Sequence, residues 1–292
     1  MKIQLSDHFT YQRLLHFCLP SIVMMIFTSI YGVVDGLFVS NFVGKIPFAA
    51  LNLVMPFIMI LGGFGFMIGT GGSALIAKTL GEGKHKLANR YFSMLIIMTV
   101  ILGLILTTIG IVFARRVSIL LGATDVMLDD CVIYLRTVLL FISPFMLQNV
   151  FQSFLVTAQK PHAGLIVTII AGLTNMSLDA LFIVVFRWGV AGAALATGIS
   201  QCIGGLLPLI LFLGKNDSLL HLVPTRLEWR PFFLSCTNGM SELMGNISSS
   251  IVSMLYNFQL LNYAGENGIA AYGVLMYVQL FLLPYSSATP SV

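Results

Sequence analysis

The chain has 292 residues, of which 58% are hydrophobic and 9% charged, with a net charge of +4. A soluble domain carries about 25% charged residues, so a water-facing surface cannot be built from this composition. The mean hydropathy of +0.96 points to a lipid bilayer as the surroundings. The scattered basic residues form no patch for nucleic acid, and the alternating ten-residue segments of an outer-membrane barrel are missing.

Eight apolar segments follow in order, near 14–40, 47–77, 91–113, 131–158, 163–186, 190–213, 231–262 and 268–283. All but the last reach the roughly 20 residues that carry a helix across ~30 Å of hydrocarbon. The expected fold class is an all-α integral membrane protein, a polytopic helical bundle. Pro20, Pro56 and Pro144 fall inside segments, where neighbouring helices can satisfy the freed carbonyls. Glycines cluster between Gly62 and Gly72 and between Gly189 and Gly198, which permits close helix packing. The first segment is too long for a signal-peptide core and lacks a small-residue cleavage site, so it is expected to stay in the mature protein. Cys18, Cys131, Cys202 and Cys236 are too far apart for a metal or disulfide framework. They read as small hydrophobes.

Orientation follows from Lys and Arg in the connections. The side holding the N-terminus carries ten, among them Lys78, Lys84, Lys86 and Arg226; the other carries Lys45, Arg115, Arg116, Arg136 and Arg187. A cytoplasmic N-terminus is expected, and with it a cytoplasmic loop from Lys215 to Arg230.

Segments one and seven resemble each other at one constant offset: Asn41-Phe42-Val43-Gly44 aligns with Asn262-Tyr263-Ala264-Gly265, and Ala49-Ala50 with Ala270-Ala271, without a gap. Six helices per unit keep the next unit in the same orientation, a parallel repeat. The expected organisation is a six-helix lobe (1–214), an inter-lobe loop (215–230) and the first two helices of a second parallel lobe (231–292). A C-terminally truncated copy of a twelve-helix protein is the expectation, with a natural eight-helix protein as the rival.

Three acids lie inside apolar segments: Asp35, Asp179 and Glu242. A charge at mid-membrane costs about 3 kcal/mol on insertion scales, and no basic residue lies deep enough to pair with them. Asp35 is six residues before Asn41, Asp179 seven before Phe186, and Thr197 seven after Val190. At 1.5 Å per residue, all three sit roughly 10 Å below the outer surface. Asn175 shares a helix face with Asp179. Two carboxylates, an amide and a hydroxyl at one depth suit a proton relay, or Na⁺ as the metal. The simpler alternative for each acid is a hydrogen bond across helices or snorkelling to the surface. Glu242, with Asn238 and Asn246 each four residues away, reads as a second acidic site near mid-membrane.

These residues resemble the MATE family of multidrug and toxic compound extrusion transporters, especially its bacterial NorM/DinF/MepA-like members. The resemblance rests on Pro20-Ser21 followed by Tyr31-Gly32-Val33-Val34-Asp35-Gly36, on Asn175-Met176-Ser177-Leu178-Asp179, on Gly192-Ala193-Ala194-Leu195-Ala196-Thr197, and on Gly81-Glu82-Gly83. It implies a secondary antiporter that exports cationic, amphiphilic compounds in exchange for H⁺ or Na⁺, in a bacterial inner membrane, with no other cofactor. A monomer is the expectation. It also implies a cation or proton site at Asp35, Asn175, Asp179 and Thr197, and a hinge at Pro20. Met24, Met25, Phe27, Tyr31 and Phe154 are candidates for adaptable contacts, with ordinary helix packing as the simpler role. The nearest rival is a lipid-linked oligosaccharide flippase, which would want basic residues in its cavity. An enzyme is not expected, because no His-Glu-x-x-His or Gly-x-Ser-x-Gly occurs. An inactive fragment is the third alternative.

Overall fold

The computed structural model describes the backbone of residues 11–214 and 218–287, with the side chains of 11–18, 20–22, 25 and 279–287 outside the description. Among the described residues the secondary structure is helical: α1 (Tyr11–Phe38), α2 (Lys45–Gly81), α3 (His85–Leu120), α4 (Leu128–Leu139), α5 (Ile142–Thr157), α6 (Pro161–Asp179), α7 (Gly189–Leu213), α8 (Trp229–Asn238) and α9 (Met240–Ser287). Five of these stretches are long and apolar enough to cross a membrane, and α4 with α5 adds a sixth as a span bent by 56°. The chain is a multi-pass membrane protein.

α2 is the central element. It packs against α3, α4, α5, α8 and α9. Its glycines set how near those neighbours come. A Cβ at Gly65 would lie 2.7 Å from the Met146 carbonyl oxygen, so α5 rests directly on the α2 backbone. One apolar core, around Phe48, Val54, Tyr134 and Leu139, fills the bundle towards the ends joined by Gly44. Another, around Phe92, Phe151, Phe154 and Phe212, fills the opposite half. α1 leans on α6 and α9, and α7 closes the bundle against α5 and α6.

Two segments differ from the expected single spans. The fourth is broken at Leu140–Phe141, ahead of Pro144. Pro144 is the third residue of α5, where its missing N–H has no intrahelical acceptor to lose. The proline therefore begins a helix there and does not kink one. The seventh is divided at Gly239 into α8 and α9, because Gly239 and Gly71 bring the backbones of α8 and α2 into contact.

The two glycines paired by the expected repeat share a backbone feature. Gly44 separates α1 from α2 at φ 126°, ψ 174°, and its repeat counterpart Gly265 breaks α9 at φ 62°, ψ −155°. Positive φ with ψ near 180° is open essentially to glycine alone. The expected boundary between the seventh and eighth segments falls at this break. Asn52 and Gly273, related by the same offset, meet face to face, with the Asn52 amide filling the space a Cβ would need.

Loop residues 218–228 cross α3 as an extended strap. The His221 N–H donates to Asn89 Oδ1 (3.1 Å) and the Val223 N–H to Ser93 Oγ (2.9 Å).

Candidate functional site

Asp35 lies three residues before the end of α1, and Asp179 is the last residue of α6. Just beyond each acid the helix widens into a π-type turn, Val39–Val43 and Ala180–Val185. The Gly44 N–H reaches back to the Val39 carbonyl (3.1 Å) and the Phe186 N–H to that of Leu181 (2.9 Å). Such wide turns concentrate at functional sites because they re-aim side chains without ending the helix. The two turns touch each other and the start of α7. With α1 packed on α6, they set Asp35 and Asp179 at neighbouring ends of one helix pair.

Asp35 is 8% exposed, Asn175 2% and Asp179 0%. Thr197 and Gln201 of α7 line a cavity with Asp35. Six oxygens here receive no hydrogen bond from a donor of the protein: Asp35 Oδ1, Asn175 Oδ1, both of Asp179, Thr197 Oγ1 and Gln201 Oε1. Buried polar atoms are nearly always paired, so this concentration of acceptors lacks a donor or cation. Among the described residues no Lys or Arg forms an ion pair with either acid.

A cavity of about 260 Å³ opens on this cluster, lined by Asp35, Asn175, Thr197 and Gln201. Tyr31, Tyr134 and Tyr277 supply aromatic walls, and Met55, Met59 and Phe145 supply apolar ones. The arrangement can hold a proton or a small cation on oxygen ligands beside a surface suited to an amphiphile.

Of the four residues expected at one depth, Asp35, Asn175 and Thr197 line this cavity, while Asp179, wholly buried at the end of α6, is not in its lining. Gln201, Tyr134 and Tyr277 were not anticipated. Gln201 was within reach of the sequence, being one turn from Thr197 and polar inside an apolar segment. Glu242 is not part of this cavity. The break at Gly239 puts it in the first turn of α9, exposed, with its backbone carbonyl accepting from Asn246 Nδ2 (2.8 Å). There an acid favours the helix N-terminus. Of the adaptable contacts, Tyr31 lines the cavity. Phe154 is core, its ring 5.3 Å from that of Phe92, and Phe27 packs on Gly172. The side chains of Pro20 and Met25 lie outside the described residues.

The sequence profile of the MatE family matches residues 20–181. The chain belongs to the MatE family. Among curated relatives, the multidrug export protein MepA of Staphylococcus haemolyticus is 27% identical over 268 residues, covering 90% of this chain and 58% of that protein. The MepA of Staphylococcus aureus is 25% identical over 267 residues, with the same coverage. Among solved structures, the MATE multidrug transporter DinF-BH superposes with a TM-score of 0.85 at 26% identity, covering 97% of this chain and 64% of that one. An inward-facing multidrug resistance MATE family transporter gives 0.81 at 24% identity, covering 90% of this chain and 61% of that one, a likeness of fold. This MatE chain therefore spans about 58% of the length of the curated relatives it matches.

Proposed function

We propose that this chain carries the ion-coupling half of a multidrug antiporter that exports cationic amphiphiles in exchange for H⁺ or Na⁺. The observation that carries the reading is the set of six unpartnered oxygens around Asp35 and Asp179. Two carboxylates in one buried pocket repel strongly unless a proton or cation lies between them. Asp35, Asn175, Asp179 and Thr197 would hold that ion. Occupancy of the pair cancels the charge that attracts a cationic substrate to the adjoining Tyr- and Met-lined cavity. Ion and substrate thus compete for the same carboxylates, which is the requirement for exchange. The MepA relatives, multidrug export proteins by name, support the substrate class. The setting is a bacterial inner membrane, N-terminus inside, with the chain acting as a monomer. The flippase reading is weaker, because among the described residues none that lines the cavity is basic.

The test is ethidium efflux in everted vesicles under an imposed pH or Na⁺ gradient. Asp35→Asn and Asp179→Asn should each lower gradient-driven transport by about tenfold or more. Undiminished ion-coupled efflux in both variants rejects the reading.

A further inference from the structure

The acid-lined cavity has a smaller neighbour. Gln148 of α5 lines it and also lines a second cavity between α5, α6 and α7. A Cβ at Gly204 of α7 would lie 2.6 Å from Gln148 Cδ and 2.9 Å from its Oε1, so this amide rests on the α7 backbone. The smaller cavity gives the centre of a water-sized sphere about 10 Å³, about the room that one water needs. Its polar side chains are Gln148, Gln152 and Thr168, and Gly204 and Pro208 complete the wall. Pro208 lies inside α7 and has no N–H, so the Gly204 carbonyl, four residues earlier, lacks its helical donor. Thr168 is buried. A buried water makes about three hydrogen bonds, and two amides, a hydroxyl and a carbonyl offer them here.

These groups prolong the faces that line the acid cavity. On α7, Thr197, Gln201, Gly204 and Pro208 follow at intervals of four, three and four residues. On α6, Thr168 is seven residues before Asn175, and Gly164 four before Thr168. On α5, Gln148, Gln152 and Leu155 are spaced by four and three. Such intervals keep one face of each helix, and the three helices pack on one another. Their seam runs from the acid-lined cavity towards the turn between Thr157 and Pro161, at the end of the bundle opposite Gly44. Leu155 and Gly164 close it there, a Cβ at Gly164 lying 3.6 Å from Leu155 Cδ1.

We propose that this seam is the path by which a proton leaves the acid-lined cavity for the N-terminal side of the membrane, relayed by a water held among Gln148, Gln152, Thr168 and the Gly204 carbonyl. The proposal rests on the ion-coupling reading and names H⁺ as the ion that takes this path. A proton crosses a place one water wide without any heavy atom passing through, whereas Na⁺ would have to travel with its ligands. The protonated Asp35 carboxyl gives its proton to a cavity water, which hands one of its own to the next. The carboxyl is left as a carboxylate, each water is left unchanged, and one proton emerges at the α5–α6 turn. The Thr168 hydroxyl both donates and accepts, so it can pass a proton in the same way, while the amides of Gln148 and Gln152 orient the water.

The experiment uses the whole chain in two measurements. In the first, brief X-ray radiolysis of the purified protein hydroxylates side chains that lie beside ordered water. Leu155 and Pro208 are expected to be labelled several-fold above Leu53, which is equally buried in the apolar core, and Thr168→Val and Gln152→Leu should bring them down towards it. In the second, everted vesicles carrying bound ethidium receive an acid pulse on the N-terminal side, and its release is followed by stopped-flow fluorescence. Thr168→Val and Gln152→Leu should slow the release by about tenfold or more while leaving its final extent within about twofold. Labelling of Leu155 and Pro208 no higher than that of Leu53, or parental release rates in both variants, overturns the proposal. Asp35→Asn should reduce the extent of release; an unchanged extent counts against the ion-coupling reading alone, because the labelling does not depend on it.

Discussion

Replacing Gly65 by Ala tests whether α2 and α5 meet through backbone. The new Cβ would lie 2.7 Å from the Met146 carbonyl oxygen and 2.8 Å from its Cα. Both obstacles are main chain, so no rotamer change relieves them. Reaching ordinary contact parts the helices by about 0.7 Å, a gap that forfeits a quarter or more of each dispersion well along the seam. Overpacking of this kind costs about 1–3 kcal/mol, and the backbone obstacle puts Gly65→Ala at the upper end. Alanine recovers about 1 kcal/mol of helix propensity, leaving a net loss of about 2 kcal/mol. Gly245 is the control, because it is exposed and a Cβ there meets nothing within 4 Å. Gly245→Ala should stabilise by about 0.5–1 kcal/mol. In thermal unfolding of the purified chain, size scaling converts these to a Tm drop of about 4 °C and a rise of about 1–2 °C. A Gly65→Ala variant melting at or above the parent would refute the close-packed crossing.

Three further expectations follow from single contacts. Gly265→Ala should cost about 1–3 kcal/mol in the same assay, because φ 62° with ψ −155° excludes a side chain. An unchanged melting point would contradict the shared glycine break. Removing Asn89 Oδ1 or Ser93 Oγ by alanine should free the 218–228 strap. At about 1 kcal/mol per hydrogen bond, each variant should be cut by trypsin after the exposed Arg226 about fivefold faster, and equal rates would show the strap unattached. The Glu266 carboxyl, at the α9 break, is held below its ordinary value by its own backbone N–H and by the Thr124 hydroxyl (2.8 Å). A depressed carboxyl stabilises the fold above its ordinary value of 4.5 and loses that contribution as pH falls through the folded value. The group is partly exposed to solvent, which screens it, so the effect is small. Glu266→Gln should flatten the acid side of the Tm–pH curve, and a curve identical to the parent's would remove the contact from the account.

The sequence carried the acid pair because depth in a membrane is arithmetic: residues counted from a segment end become ångströms. Asp35, Asp179, Asn175 and Thr197 could be placed together that way. The Gly44–Gly265 break was legible through the repeat, since only glycine tolerates that backbone. Other features depend on what packs against them. Pro144 gave no sign of whether it would kink a helix or start one. Gly239 ends α8 because α2 crosses there at Gly71, a contact far away in the chain. The π-type turns after both acids left no mark in local composition. Tyr277 joins the site from the second unit, so no local pattern announces it. Glu242 falls in the first turn of a helix for the same reason, since the Gly239 contact divides its segment.

The central claim is that Asp35 and Asp179 serve one ion and not two. A double-mutant cycle on cation-dependent stabilisation tests it most directly, using the rise in Tm on adding Na⁺, or protons, to the parent, Asp35→Asn, Asp179→Asn and the double variant. The account predicts that either single substitution removes as much of the stabilisation as both together. Losses that simply add, each acid contributing its own share, would contradict it.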